Sequence, residues 1–319
     1  MADTLGPFQF GKVYCMDMRE GMAKIPDGSV HCILSDPPYG IAFQQDDLAS
    51  CIEEALGHGK KADQPVRSIS NDDYASFSGV LKSMLDQAVR VLHKEAAVCC
   101  CCCGGGGPSP VFADVAKWMD ERLQFDQAVV WDKGGGDGLM SKGGLGWRYR
   151  RNYEFVMVAH RKGGRMRWFD QSAAISNVIR IGRIIPRAEE HPTPKPVKLM
   201  ETFLLLHTQP GDVVVDPFAG GGTTGVACER LVDRRFVGFE IDPHWAEYSN
   251  KRIEAERVAL GKKNAGDARG GQQLGLLPPS MRRIQVPLLD VSQPEPAVTL
   301  PVTPPATEAP TSSSSSSDE

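Results

Sequence analysis

The chain has 319 residues, of which 41% are hydrophobic and 24% are charged, and it carries a formal net charge of −4. This composition is typical of a globular protein and excludes a chain that is disordered throughout. The length predicts about two domains, or one large α/β domain with additions. A negative net charge, averaged over the whole chain, argues against a nucleic-acid partner.

Two further classes of protein are excluded by the pattern of apolar residues and cysteines. No apolar run reaches the ~18 residues of a membrane span, and the N-terminal segment lacks a secretory signal pattern, so we expect a cytoplasmic protein. The nine cysteines stand singly or in one block at residues 99–103, not at the spacings of a disulfide framework. Because consecutive strand residues point to opposite faces, this block predicts buried core and no metal site.

Short apolar runs alternate with helical patterns along the first 260 or so residues. The runs predict strands at residues 30–34, 96–103, 127–131, 153–160, 212–215 and 235–240. The other patterns predict helices at residues 72–92, 109–123, 194–207, 223–231 and 243–260. This alternation favours a mostly parallel sheet with helices on both faces. Residues 261–319 are rich in proline and serine, which predicts a disordered tail.

A short polar motif, Asp36-Pro37-Pro38-Tyr39, follows the first predicted strand. Ligands of open α/β sheets bind beyond the carboxyl ends of strands. Asp36 is an acceptor when ionised and the two prolines have no N–H, so the motif suits a substrate that presents donors, such as an exocyclic amino group. Tyr39 adds a flat face on which a planar ring can stack. The alternative is an ordinary turn, since Asp and Pro are common turn residues.

A glycine loop, residues 216–225, connects a predicted strand to a predicted helix. Its glycines let a cofactor approach the backbone, and Glu240, at the end of the next strand, can hold ribose hydroxyls. Gly220, Gly222 and Gly225 satisfy the pattern G-x-G-x-x-G. The pattern is compatible with NAD and equally with an adenosine-bearing methyl donor, and a tight turn without ligand is the remaining alternative.

With both motifs in this order, residues 11–255 resemble the β-class amino methyltransferases of DNA, the N4-cytosine/N6-adenine family. Asp36-Pro37-Pro38-Tyr39 matches the family's catalytic motif, and residues 216–224 match its S-adenosylmethionine loop, with Gly221 in place of the usual Ser. Residues 191–196 match the segment that precedes this loop. The catalytic motif comes before the cofactor loop, which is the permuted order typical of the β class.

The resemblance implies a class I methyltransferase (Rossmann-like) α/β fold. Its sheet is circularly permuted, seven-stranded and mostly parallel with one antiparallel strand, and the chain enters it at the third strand. The resemblance divides the chain into a catalytic half, a target-recognition region, an S-adenosylmethionine-binding half and the tail, at residues 1–132, 133–190, 191–260 and 261–319. It calls for no metal and no membrane, and it allows a homodimer.

The resemblance also implies a reaction. The substrate is double-stranded DNA with the target base flipped out of the helix. Asp36 and the carbonyl of Pro37 accept the amino hydrogens and Tyr39 stacks on the base. Asp before the Pro-Pro-Tyr sequence favours adenine N6, while cytosine N4 stays open. The cofactor-binding residues that the resemblance implies are Asp17, Asp216, Phe218, Gly220, Gly222, Thr223, Thr224 and Glu240.

The charge of the predicted recognition region differs from that of the chain. Residues 133–190 contain twelve Lys and Arg and five Asp and Glu, a net of +7, so the remainder carries −11. Arginine favours bidentate contacts with phosphate and guanine. We therefore expect nucleic-acid contacts from Arg148, Arg150, Arg151, Arg165 and Arg167. The alternative is a solvated basic surface.

Two functions of other classes stay open at this point. An NAD-dependent oxidoreductase would explain the glycine loop, but it leaves Asp36-Pro37-Pro38-Tyr39 without a role. A DNA-binding protein without catalysis is disfavoured by the two intact motifs. No nuclease motif stands out, which indicates a modification enzyme of the restriction-modification type acting on its own.

Overall fold

The computed structural model describes residues 4–38, 74–103, 111–134, 152–170, 174–182, 184, 190–231 and 233–266. Tyr39, the predicted DNA-contacting residues 148, 150 and 151, and the predicted tail from residue 267 onward lie outside the described residues. Within the described part of the chain, no helix has the length and apolarity to span a membrane.

The strands in these ranges are β1 (Thr4–Leu5), β2 (Phe8–Gln9), β3 (Lys12–Cys15), β4 (Val30–Ser35), β5 (Leu92–Cys103), β6 (Gln124–Asp132), β7 (Tyr153–His160), β8 (Val178–Arg180), β9 (Val213–Asp216) and β10 (Arg235–Glu240). The helices are α1 (Met18–Ala23), α2 (Tyr74–Val91), α3 (Val111–Arg122), α4 (Val197–His207), α5 (Thr223–Arg230) and α6 (Pro243–Gly266). All the strands and helices predicted from the sequence are confirmed, with shifted ends. Helix α6 continues beyond residue 261, where the prediction placed the start of the tail.

Eight strands form one sheet in the order β3-β10-β9-β4-β5-β7-β6-β8, and β1 and β2 form a separate hairpin. Strand β7 is antiparallel to both of its neighbours, and the other pairs are parallel. The predicted mostly parallel sheet with one antiparallel strand is therefore confirmed. The three-residue β8 at the edge brings the number of strands to eight instead of seven.

Strand β7 occupies an interior position between β5 and β6. In the sequence it falls within residues 133–190, the predicted target-recognition region. Four of its side chains are buried, because both faces of the strand are covered: Val156, Met157, Val158 and Ala159. This part of the predicted recognition region therefore builds the central sheet.

The sheet forms the middle of three layers, and helices cover both of its faces. Helices α1, α2 and α3 pack on one face and contribute to the first core cluster, while α4, α5 and α6 pack on the other. Apolar residues recur at helical spacing along α2, and five of its buried residues show this periodicity: Phe77, Leu81, Met84, Leu85 and Ala88.

The cysteine block lies on β5 and alternates between the two faces. Cys99 and Cys101 join the cluster under α4, whereas Cys100 joins the cluster under α2. Burial raises the pKa of all three thiols, so they remain protonated and behave as small apolar side chains.

Candidate active site

Four acidic residues lie at one edge of the sheet, because the carboxyl ends of four adjacent parallel strands meet there. They belong to β3, β10, β9 and β4 or follow them directly: Asp17, Glu240, Asp216 and Asp36. Residues that are far apart in the chain are therefore brought to one place. This is the edge at which open α/β sheets bind ligands.

Asp17 begins helix α1 as its N-cap residue. Its carboxylate accepts a hydrogen bond of 2.8 Å from the backbone N–H of Arg19, and the Arg19 side chain forms an ion pair with it. The side-chain hydrogen bonds from Arg19 lower the pKa of Asp17. Asp17 thus presents an ionised carboxylate beside the end of β10, where the N–H of Met16 donates to the carbonyl of Glu240.

Glu240 connects β10 to the glycine loop. Its carboxylate oxygens accept hydrogen bonds of 2.9 Å from the N–H of Gly220 and 2.9 Å from the N–H of Asp242. Burial raises the pKa of Glu240. A carboxylate has about four acceptor sites, so these two bonds leave capacity for the hydroxyl groups of a ribose.

The glycine loop is a tight turn before α5. Gly220 has φ of +47° and Gly222 has φ of +73°, in the left-handed region that side chains other than glycine rarely adopt. A Cβ atom on Gly222 would also lie 2.9 Å from the Cβ of Ser249 on α6. The loop therefore needs glycine at these positions to pass beneath α6 and present its backbone at the edge of the sheet.

Asp216 is buried and stabilises the glycine loop through hydrogen bonds. Its Oδ1 accepts hydrogen bonds from the Ser35 hydroxyl at 2.6 Å and from the N–H of Phe218 at 3.1 Å, and the Thr224 hydroxyl also donates to the Asp216 carboxylate. Burial raises the pKa of Asp216 to about 6, although these hydrogen bonds oppose the effect. Asp216 therefore joins the cofactor loop to the end of β4, directly before the catalytic motif.

The other predicted loop residues are also tied to the fold. The Thr223 hydroxyl accepts a hydrogen bond of 3.2 Å from Arg252 on α6, and the Thr224 hydroxyl lies 3.5 Å from the carbonyl of Leu34. Both threonines are buried. Phe218 is half-buried and packs against the first core cluster. Arg252 also donates to the carbonyl of Gly221 at 2.7 Å, a contact that sequence reasoning missed.

Asp36 lies at the end of β4 and is held by a lysine. Lys195 Nζ donates to Asp36 Oδ2 at 2.6 Å, and the Lys195 side chain is only 5% exposed. The side chain of Asp36 is 20% exposed, which leaves it accessible at the edge of the sheet. Sequence reasoning matched Lys195 to a family segment but gave it no role. Pro37 and Pro38 follow without regular structure.

His191 lies in the same segment as Lys195 and packs over the glycine loop. Its ring forms an edge-on contact with Trp245, with 4.8 Å between ring centroids. A Cβ atom on Gly221 would lie 3.0 Å from the Cβ of His191, so the histidine occupies the space beside the position where the family usually has Ser. Burial and the charge of Lys195 lower the pKa of His191 to about 4, so it is neutral at pH 7 and only weakly basic.

Two of the predicted DNA-contacting arginines lie near the amino ends of β5 and β9, at the end of the sheet opposite to Asp36. The N–H of Arg165 donates to the carbonyl of Lys94, near the start of β5. Arg167 forms an ion pair of 2.9 Å with Asp212, just before the start of β9, and its side chain is 11% exposed. The structure therefore does not bring Arg165 and Arg167 together with Asp36, and Arg167 is engaged within the protein.

Part of the basic charge of residues 133–190 is paired within the protein. Arg167 and Arg180 form ion pairs of 2.9 and 2.7 Å with Asp212 and Asp132, which lie outside this region, although the side chain of Arg180 is 60% exposed. Lys133 pairs with Glu154 at 2.5 Å, and Arg161 donates to a backbone carbonyl of β5 at 3.1 Å. The pairs with Asp212 and Asp132 offset two of the positive charges counted in the net of +7.

Comparison of the sequence with known protein families agrees with this arrangement of motifs. A sequence profile for the DNA methylases that act on N6 and N4 amino groups matches residues 30–251. The match contains the end of β4, the glycine loop and Glu240. The chain belongs to this DNA methylase family. The cofactor of the family is S-adenosyl-L-methionine.

Two named relatives are similar in sequence. The chain is 25% identical over 279 residues to the DNA adenine methyltransferase YhdJ of Escherichia coli, an alignment that covers 77% of this chain and 86% of YhdJ. It is 46% identical over 69 residues to the type II methyltransferase M2.DpnII of Streptococcus pneumoniae. That second alignment covers 22% of this chain and 25% of M2.DpnII, so it is local.

Solved structures share the fold at low sequence identity. The PvuII DNA methyltransferase, described as cytosine-N4-specific, has a TM-score of 0.56 at 18% identity and covers 79% of this chain and 96% of its own. The DNA modification methylase TTHA0409 of Thermus thermophilus, in complex with S-adenosyl-L-methionine, has a TM-score of 0.53 at 21% identity. It covers 77% of this chain and 95% of its own. These likenesses show the fold.

The residues at the sheet edge fit a nucleoside cofactor. Glu240 and Asp17 place carboxylates at the ends of adjacent strands, where hydroxyl and amino groups need acceptors. Gly220 and Gly222 keep the loop free of side chains. No group of three or more His, Cys, Asp or Glu residues able to hold a metal ion occurs in the described ranges.

Proposed function

We propose that this DNA methylase transfers a methyl group from S-adenosyl-L-methionine to N6 of adenine in double-stranded DNA. The observation that carries the proposal is the position of Asp36, which lies beside the glycine loop at the carboxyl edge of the sheet. The similarity to YhdJ, which is named as a DNA adenine methyltransferase and aligns over 77% of this chain, supports adenine. Asp before Pro37 and Pro38 supports the same target.

The reaction needs acceptors at the target nitrogen. An exocyclic amino group carries two hydrogens, and its lone pair is delocalised into the ring, so it is a weak nucleophile. The Asp36 carboxylate and the carbonyl of Pro37 accept the two hydrogens and favour a more tetrahedral nitrogen. Tyr39 stacks on the base once it is flipped out, which offsets part of the few kcal/mol that extrusion costs.

The cofactor supplies an electrophilic methyl group on a sulfonium. Attack of the amino nitrogen on that methyl carbon would break the carbon–sulfur bond, leave S-adenosyl-L-homocysteine as a neutral thioether and move the positive charge to the nitrogen. Asp36 stabilises this charge electrostatically in a partly buried position, where such an interaction is stronger than in water. The methylated nitrogen then passes a proton to the Asp36 carboxylate, which is 20% exposed and can release it to solvent, because Lys195 is already charged and cannot accept it.

The cofactor is held by groups from three strands. Glu240 binds the ribose hydroxyls, Asp17 lies near the adenine, and the backbone of Gly220 and Gly222 approaches the ligand. Phe218 lines the pocket beside them. Asp216, Thr223 and Thr224 act through the loop, since all three side chains are buried and bonded to protein groups.

The target nucleoside can be identified directly. The protein is incubated with labelled S-adenosyl-L-methionine and duplex DNA, and the DNA is then digested to nucleosides. Label in N6-methyldeoxyadenosine is the expected result. Label in N4-methyldeoxycytidine would replace adenine by cytosine as the target, and unlabelled DNA of many sequences would overturn the proposal.

The role of Asp36 is tested in the same assay with Asp36→Asn. The expected result is loss of methyl transfer by at least about a hundredfold, since a charge that stabilises the transition state is removed. Binding of the cofactor, measured by calorimetry, should remain within about threefold. Asp86→Asn, on the exposed face of α2, is the matched control. Full activity in Asp36→Asn contradicts the role.

Arg148, Arg150 and Arg151 are proposed as DNA contacts. Neutralising all three should reduce the slope of log K against log[salt] by up to about 2.7, since each phosphate contact contributes about 0.9. Arg165→Ala, at the opposite edge of the sheet, should leave the slope unchanged. If the slope falls in Arg165→Ala and not in the triple variant, DNA binds at the end of the sheet opposite to Asp36, which contradicts this proposal.

A further inference from the structure

A buried lysine joins two carboxylates beside the proposed catalytic residue. Lys195 Nζ lies 2.6 Å from Asp36 Oδ2 and 3.5 Å from Glu154 Oε2. Glu154 lies near the start of β7, and its Oε1 accepts from Lys133 at 2.5 Å. The side chains of Lys195 and Glu154 are 5% and 14% exposed. The geometry therefore places Asp36, Lys195 and Glu154 in one cluster, referred to below as the lysine cluster.

The lysine cluster accounts for the burial of a charged amine. Burial alone would lower the pKa of Lys195, but the charges of Asp36 and Glu154 outweigh that effect and raise the pKa above its ordinary value. A buried ammonium is stable only when paired in this way. Lys195 is therefore a cation at neutral pH, fixed between two strands of the sheet.

We propose that Lys195 is a positioning residue, which holds the Asp36 carboxylate in place for the target amino group, and that Glu154 balances its charge. The proposal rests on the proposed role of Asp36. One carboxylate oxygen is bonded to Lys195, so the rotation of the Asp36 side chain is restricted. Fixed acceptors require no reorganisation as the nitrogen becomes cationic.

Glu154 has a separate electrostatic task. A lone Lys195 cation beside Asp36 would oppose the positive charge that develops on the target nitrogen. With Glu154 included, the formal charges of Asp36, Lys195, Glu154 and Lys133 add to zero, whereas without Glu154 they would add to +1 and oppose that developing charge. Glu154 thus lets the protein use a cation to hold Asp36 without leaving a net positive charge beside the target nitrogen.

Titratable groups face Asp36 from several elements. Lys195 approaches from the segment before α4 and Glu154 from β7, where Lys133 is paired with Glu154. Burial and the charge of Asp36 raise the pKa of Asp216 on β9 and of the Cys100 and Cys101 thiols on β5. Lys195 is the cation bonded to Asp36, so its removal should be felt at Asp36 as a loss of stabilisation of the ionised form.

The first experiment is the pH dependence of kcat for Lys195→Met. Loss of the cation should lower kcat at least about tenfold and move the acid limb of the profile upward by about one pH unit or more. The KM for S-adenosyl-L-methionine should change less than about threefold, because Glu240 and the glycine loop are untouched. An acid limb at the wild-type position would overturn the role of Lys195.

The Glu154→Gln variant separates the electrostatic role of Glu154 from the positioning role of Lys195. It should lower the plateau of kcat about three- to tenfold without moving the acid limb upward. In the double variant Lys195→Met/Glu154→Gln, the limb should lie below that of Lys195→Met, because a like charge beside Asp36 has been removed. If the two single variants shift the limb in the same upward direction, the assignment of Glu154 is wrong.

Folding and the proposed function are controlled separately. Lys251→Met, an exposed lysine paired with Glu247 on α6, is the matched control and should retain wild-type kinetics. If Lys195→Met does not fold, as judged by thermal unfolding and cofactor binding, the plateau and acid limb of Glu154→Gln decide the outcome. Full activity in Asp36→Asn defeats the proposed function itself, whereas an inactive Asp36→Asn with an unshifted Lys195→Met profile defeats only this inference.

Discussion

The hydroxyl of Ser35 donates a hydrogen bond of 2.6 Å to Asp216 Oδ1, and both side chains are buried. Ser35 ends β4 immediately before the catalytic motif, and Asp216 ends β9 immediately before the cofactor loop. The two residues are 181 positions apart in the chain, yet this contact holds their strands in fixed relation. In the proposed mechanism, this contact holds the glycine loop in position relative to Asp36.

Removal of this contact should be costly. Ser35→Ala leaves a buried carboxylate without one of its donors, and hydrogen bonds to charged groups contribute about 1.5–3 kcal/mol. We expect the free energy of unfolding to fall by about that amount at pH 8, measured by chemical denaturation. Ser78→Ala removes a hydroxyl from an exposed position on α2 and should change stability by less than about 0.5 kcal/mol. Equal effects of the two substitutions would contradict the importance of the Ser35 contact.

The raised pKa of Asp216 predicts a dependence of stability on pH. Its ordinary value is 3.8 and burial raises it to about 6, so in that window the folded protein holds a proton that the unfolded chain has released. Stability therefore falls as pH rises through the window and levels off above it. Asp216→Asn lacks this titration, so its stability relative to wild type should increase by on the order of 3 kcal/mol from about pH 4 to about pH 7. A difference that does not vary with pH would refute the raised pKa.

Glu240 should contribute to cofactor affinity in two ways. Glu240→Gln removes the charge proposed to hold ribose and leaves only one carbonyl oxygen for the N–H groups of Gly220 and Asp242. The Kd for S-adenosyl-L-methionine should rise at least about tenfold, equivalent to about 1.4 kcal/mol. Calorimetry measures this, with Glu247→Gln on the exposed face of α6 as control. Unchanged affinity in Glu240→Gln excludes the role.

The sequence was sufficient for elements with a strong apolar pattern and insufficient for short elements without one. Strands β4 and β9 are dominated by apolar residues, and the long helix α2 repeats its apolar residues with clear periodicity. Strand β3 mixes polar and apolar residues over four positions, and helix α1 has six residues, too few for a period to emerge. These two elements form because tertiary packing stabilises them: β3 pairs along β10, and Asp17 caps α1.

The same distinction applies to the site. Asp36 and the glycine loop are recognisable because each motif is contiguous in the chain. The contact between Lys195 and Asp36 spans 159 positions, and the pairing of Arg167 with Asp212 spans 45, so neither could be predicted from local pattern. A count of charges also cannot distinguish a paired arginine from a free one, as the ion pairs of Arg167 and Arg180 with carboxylates outside residues 133–190 show.

Substitution of two glycines in helices by alanine is expected to change the free energy of unfolding in opposite directions. A Cβ atom on Gly225, in α5, would lie 2.8 Å from Phe236 and would also overlap Ile253, so Gly225→Ala should cost about 1–3 kcal/mol of stability through overpacking. A Cβ atom on Gly79, in α2, would meet no atom within 4 Å, so Gly79→Ala should stabilise the protein by about 0.5–1 kcal/mol. Denaturation of both variants measures the two effects. Since α5 directly follows the glycine loop, Gly225→Ala should also weaken cofactor binding, whereas Gly79→Ala should not. Unchanged or increased stability of Gly225→Ala would contradict the close packing of α5 against β10 and α6.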